Sequence, residues 1–274
     1  MATNEKSCLV LGGHGFVGQA VVAVAKAKGY HVTAVGRDNY ESVKGTTCDV
    51  LVNANGNSRK FLARENPPAD FQASVESVLH SLMDFKTDRY IFLSSIDVYS
   101  NVRDPEANRE STSIDPSQLS PYGLHKFMAE QLVRYYQPEA VILRMGGFVG
   151  PGLWKNPIFD LITGQQLRVH PDSAYQYMPT AELARIVFEL IETNMRSECF
   201  NVAGSGTVRI REIAEMIPDC ALSDQGDWSD PEHYEINTDK LSALTVLPES
   251  RYSVERFISD VVSGRIPIGK SAAT

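Results

Sequence analysis

The stretch Cys8–Gly18, CLVLGGHGFVG, constrains the fold more than any other part of the chain. Residues 8–11 form an apolar run suited to a buried parallel strand. Gly12, Gly15 and Gly18 follow at three-residue spacing, and the Ala- and Val-rich segment Gln19–Ala27 reads as a helix that closes at Gly29. Strand, glycine turn and helix in this order open a doubly wound α/β sheet. A side chain in the turn would hold the backbone away from a phosphate, and the helix N-terminus offers N–H groups and partial positive charge to a pyrophosphate. The turn is therefore expected to bind a dinucleotide through Gly12, Gly15 and Gly18, with Phe16 and Val17 lining it.

The second strand is expected at His31–Val35, followed by Gly36, Arg37 and Asp38. In such folds the end of this strand meets the adenosine ribose. A basic residue there accepts a 2′-phosphate, and an acidic one accepts hydrogen bonds from a 2′-hydroxyl. Arg37 points to NADP; Asp38 keeps NAD as the alternative. Between Arg37 and the strand predicted at Asp49–Asn53 there is no room for a further full helix and strand, so the first half of the sheet is expected to be trimmed. Asn53, Ala54 and Asn55 turn where backbone would pass the cofactor. Ala69–Phe85 reads as an amphipathic helix with Phe71, Val75, Val78, Leu79 and Leu82 on one face. Tyr90–Leu93 is a strand running into Ser94 and Ser95. A loop rich in Pro, Asn, Asp and Ser then leads to a helix starting at Tyr122.

Tyr122 and Lys126, four apart on that helix, share a face. A neighbouring ammonium lowers the pKa of a phenol and makes it usable in proton transfer. Ser95, at the end of a strand that should reach the cofactor crevice, completes the expected set.

The net charge of −8 disfavours general nucleic-acid binding. No apolar run approaches the roughly 20 residues of a membrane span. Met1–Ser7 lacks a secretory pattern, and Cys8, Cys48, Cys199 and Cys220 are scattered, so free thiols in the cytoplasm are expected. No His spacing suggests a metal site.

Taken together, these residues are similar to an extended short-chain dehydrogenase/reductase of the NAD-dependent epimerase/dehydratase group. GGHGFVG resembles its cofactor loop, FLSSIDVYS (Phe92–Ser100) its serine segment, and SPYGLHK (Ser120–Lys126) its Tyr-x-x-x-Lys motif. ILRMGGFVGPG, YMPTAELARIV and FNVAGSGTVRIREIAEMI resemble later segments, so the likeness spans nearly the whole chain. The resemblance implies a Rossmann-type sheet over residues 1–150 and a small substrate lobe over 151–274, with late segments returning to the sheet. It implies Tyr122 as acid/base, Ser95 on the substrate oxygen, and Lys126 on the nicotinamide ribose. The implied activity is a reductase or epimerase acting on a sugar-like carbonyl or carbinol, such as a 4-keto nucleotide sugar, with a homodimer through the Phe127, Leu132 and Tyr135 side of the helix. Against a nucleotide-sugar diphosphate stands Ser223–Glu235, acidic and without an Arg; Arg168, Arg209 and Arg211 are the remaining candidates for that charge.

Overall fold

The computed structural model describes residues 6–220, 222, 228 and 230–269. The apolar run forms β1 (Ser7–Leu11), and the glycine turn feeds α1 (Gly18–Ala27). The chain reverses at Gly29 into β2 (His31–Val35). A single short helix, α2 (Tyr40–Val43), precedes β3 (Thr47–Asn53). The sheet is trimmed as its spacing predicts: β2 is an edge strand, and β3 pairs with the opposite side of β1.

Helices α3 (Lys60–Glu65) and α4 (Pro67–Phe71) follow, the second started by the Asn66 side chain accepting from Ala69 N at 3.2 Å. The helix predicted over residues 69–85 is broken in register. A π turn at Gln72–Glu76 separates α4 from α5 (Ser77–Asp84). The wider turn rotates the stripe, so Asp70 and Ser74 are buried with Val75, Val78 and Leu82, whereas Phe71, expected on the buried face, is 40% exposed. β4 (Lys86–Ser95) is longer than predicted and ends at the two serines. Helix α6 (Pro121–Tyr136) begins where a proline needs no N–H partner, with Ser120 Oγ accepting from Gly123 N at 3.1 Å. Strand β5 (Val141–Met145) follows.

Next come β6 (Gly147–Val149), α7 (Pro157–Ile162), β7 (Ala174–Tyr175) and β8 (Tyr177–Pro179). Helix α8 (Thr180–Glu192) then returns the chain to β9 (Glu198–Val202). The remaining elements are β10 (Val208–Arg209), α9 (Ile210–Glu215), β11 (His233–Tyr234), α10 (Asp239–Ser242) and α11 (Ser250–Val262).

Two units result. The first holds residues 1–100, 110–145 and 183–202 and carries a six-stranded parallel sheet in the order β2-β1-β3-β4-β5-β9. Its strands read as near-continuous apolar runs because helices cover both faces. Leu51, Phe92 and Ile142 on one face pack with Val78, Leu82, Ala129 and Val133 of α5 and α6. The second unit holds residues 101–109, 146–182 and 203–274. It contains a β6-β8 pair and a small sheet ordered β10-β7-β11. Within it Arg211 pairs with Asp172 at 3.0 Å, and Trp228 Nε1 donates to Leu167 O at 3.1 Å. Of the acidic stretch 223–235, residues 223–227 and 229 lie outside the described residues.

Candidate active site

Everything in this site belongs to the sheet-bearing unit. The glycine turn is tight by construction. Gly12 has φ +72°, and a Cβ there would lie 2.8 Å from the Ala54 carbonyl oxygen. A Cβ on Gly18 would lie 2.1 Å from the Gly12 carbonyl oxygen, so no side chain fits where α1 starts. Helix α1 has no side-chain cap and no acidic residue in its first turn. A bare backbone cradle at an uncapped, uncharged helix start suits a pyrophosphate, so the residues present fit a dinucleotide. Phe16 and Val17 stand half-buried beside it.

The neighbouring turn is held by Asn53. Its buried side chain donates to Ser81 Oγ (3.0 Å) and Tyr90 Oη (2.9 Å) and accepts from Asn55 N (3.0 Å). Asn53 therefore shapes the turn, with Ala54 N tied to Leu11 O at 2.9 Å. At the end of β2, Arg37 is exposed, and the Asp38 carboxylate folds back against Gly36 next to His14.

Ser95 caps the short turn that follows β4. Its hydroxyl donates to Asp97 Oδ2 at 2.8 Å, accepts from Asp97 N at 3.2 Å and acts on the Tyr122 phenol. Tyr122 and Lys126 are buried on one face of α6, the ammonium 5.8 Å from the phenol ring centroid. The three predicted residues thus stand together. The electrostatics differ from expectation, however. Burial, helped by Asp97, pushes the Tyr122 phenol up, outweighing the pull of Lys60 and of the Ser95 hydroxyl. Burial also lowers Lys126 to about 8, against the opposing pull of Asp70, Asp97 and Glu130. At neutral pH the site holds a neutral phenol beside a charged ammonium, a pairing suited to giving a proton to a substrate oxygen.

Several residues of the site escaped the motif reading. Lys60 pairs with Asp97 at 2.7 Å. Glu130, one turn beyond Lys126, accepts from Ser94 Oγ at 2.6 Å and pairs with Arg144 at 2.8 Å, all of them buried. Arg144 Nη1 in turn donates to Tyr99 Oη at 2.7 Å. His125, the residue before Lys126, has its Nδ1 2.6 Å from Asp70 Oδ2. The one available signal was polar residues recurring inside otherwise apolar stripes. Among the described residues, no group of three or more His, Cys, Asp or Glu could hold a metal ion.

Residues 8–164 match the NAD dependent epimerase/dehydratase family, more than half of the chain. The chain belongs to that family. No curated protein sequence matches it significantly. The fold agrees with family membership. One similar solved structure is MoeE5 in complex with UDP-glucose and NAD (TM-score 0.78, 17% identity, covering 94% of this chain and 99% of that one). A UDP-galactose 4-epimerase superposes with a TM-score of 0.76 at 21% identity, over 94% and 99% of the two chains. A dTDP-4-dehydrorhamnose reductase from Bacillus anthracis strain Ames, in complex with NADP, gives 0.75 at 13% identity over 95% and 100%. The family is one of NAD-dependent enzymes. Among the described residues no helix is long and apolar enough to cross a membrane.

Proposed function

We propose that this member of the epimerase/dehydratase family is an NADP-dependent reductase acting on a sugar-like carbonyl, a 4-keto nucleotide sugar being the leading substrate class. The observation that carries the proposal is the buried Tyr122 phenol, kept neutral, on the same face of α6 as the buried Lys126 ammonium 5.8 Å from its ring centroid. Gly12, Gly15, Phe16, Val17 and Gly18 would hold the pyrophosphate, Arg37 the 2′-phosphate, the Asn53–Ala54–Asn55 turn the adjoining backbone face, and Lys126 the nicotinamide ribose. A bound nicotinamide dinucleotide supplies hydride. Tyr122 gives its proton to the substrate oxygen, and Ser95 hydrogen-bonds the same oxygen. The Ser95 proton goes to Asp97 Oδ2, itself paired with Lys60, so Ser95 would bond the substrate oxygen by turning that one proton from Asp97 to it.

The second reading is an epimerase that binds NAD and does not consume it. It is favoured by the Asp38 carboxylate lying against Gly36, where it would meet a 2′-hydroxyl. The two readings separate in calorimetric titration of NADPH and NADH, followed by turnover on UDP- and dTDP-linked 4-keto sugars. The reductase reading expects NADPH to bind about tenfold tighter, a difference of about 1.4 kcal/mol, with the preference lost in Arg37→Ala. Tyr122→Phe is expected to keep NADPH affinity and lose roughly 10²–10⁴ in kcat. Equal or NADH-favouring affinity moves the ribose contact to Asp38 and supports the epimerase. Full turnover by Tyr122→Phe overturns the proton-transfer role, and binding without any turnover leaves a dinucleotide sensor.

A further inference from the structure

Three carboxylates act on the buried Lys126 ammonium: Asp70, Asp97 and Glu130. Two of them already have cationic partners. Asp97 is paired with Lys60 at 2.7 Å and Glu130 with Arg144 at 2.8 Å. Asp70, fully buried on α4, has no lysine or arginine ion-pair partner among the described residues and is bonded instead to a histidine, an amide and a hydroxyl. Its Oδ2 faces His125 Nδ1 at 2.6 Å, and its Oδ1 accepts from Asn57 Nδ2 at 2.7 Å and Ser74 Oγ at 3.3 Å. The Asn57 N–H donates to Ser74 Oγ at 3.3 Å, so the network also grips the backbone of the turn that follows β3. That turn carries Gly56, and a Cβ there would lie 2.8 Å from Lys126 Nζ. His125 is the residue before Lys126 on α6. One carboxylate thus ties the helix that bears the ammonium to the turn packed against it.

We propose that Asp70, oriented by His125, Asn57 and Ser74, is a positioning residue for Lys126: it is the counter-charge of the ammonium and fixes the turn that lies over it. Asn57 Nδ2 and Ser74 Oγ donate to the Asp70 carboxylate and the His125 ring nitrogen faces it, so three side chains fix where that carboxylate lies relative to the neighbouring cation. The groups facing Lys126 are Asp70 from α4, Asp97 from the turn after β4, and Glu130 and the Tyr122 ring from α6; His125 faces Asp70 and the Phe71 ring. The proposal rests on Lys126 being a site residue of the function proposed above, but its test does not depend on turnover.

The test is an NMR titration of the intact protein labelled with ¹³C at lysine Cε, the Lys126 signal being assigned by its loss in Lys126→Met. Wild-type Lys126 is expected to titrate near 8. In Asp70→Asn the titration is expected to fall by about one pH unit. His125→Gln, which still offers a donor, is expected to keep the wild-type value. Where a carbonyl substrate turns over, the alkaline limb of kcat moves down with the Asp70→Asn titration, which a merely structural defect would not cause. Asp70→Ser, which removes the same carboxylate and keeps a hydroxyl for Asn57, is expected to give the same fall and serves if Asp70→Asn does not fold. An unmoved Lys126 titration in the folded variant overturns the proposal. A moved titration in a protein with no carbonyl turnover upholds it and removes only the functional reading.

Discussion

Lys126→Met should make the protein more stable and less active. Lys126 is 5% exposed, and burial brings its pKa from the ordinary 10.5 to about 8. At about 1.4 kcal/mol for each pH unit, folding the charged side chain costs at most about 3 kcal/mol at pH 7. The folded chain releases this proton near pH 8 and the unfolded chain near 10.5. Below 8 both states are charged and the full cost is present. Between about 8 and 10.5 the unfolded state binds the extra proton, so wild-type stability gains from this group as pH rises. Methionine has nearly the same length, no charge, and a thioether that can lie over the Tyr122 ring. The variant should therefore gain up to about 3 kcal/mol over wild type at pH 7, and that gain should shrink as pH rises towards 10.5. Urea midpoints of both proteins at pH 7 and at about pH 9.5 measure it, because titrating groups that do not interact with Lys126 are common to both and cancel in the difference. A variant no more stable than wild type at pH 7, or a gain that does not change with pH, refutes the reasoning. Loss of turnover in the same variant would make this lysine a case of stability given up for function.

Two further outcomes follow from the buried polar groups. Glu130→Gln leaves the 3% exposed Arg144 without its counter-charge and should cost about 3–5 kcal/mol, most of it recovered when Arg144→Met is combined with Glu130→Leu; a single-variant loss under about 1 kcal/mol in urea unfolding refutes the pairing argument. Burial pushes the Cys8 thiol up to about 12 and Cys199 up to about 11, and raises Cys48 as well, whereas Cys220 is only half-buried, so a thiol reagent at pH 8 should modify Cys220 first and the other three only on unfolding; a second fast-reacting thiol counts against it.

What could be read from the sequence, and what could not, divides along physical lines. The glycine turn, β2 and the Tyr122–Lys126 helix are local: a change of period, a proline at a helix start and a glycine at a reversal are all written within a few residues. The trimmed sheet was legible because chain length between Arg37 and Asp49 is itself a geometric limit. The π turn was not, because one extra residue in a helical turn leaves the apolar spacing looking intact while it rotates Phe71 outward and Asp70 inward. The pairings that surround Lys126 were equally hidden. Asp70 and His125 lie 55 residues apart, and Lys60 and Asp97 lie 37 apart. Such residues, taken singly, read as solvated charges. The direction of the Tyr122 pKa was lost for a related reason. Spacing of four says that Tyr122 and Lys126 share a helix face, and from that alone an ammonium should lower the phenol. Whether water reaches that face is decided by the elements packed over it, and once it does not, desolvation acts on both groups at once, raising the phenol and lowering the ammonium. The phenol then stays neutral beside a cation, and two of the three carboxylates that act on that cation, Asp70 and Asp97, come from other elements of the fold.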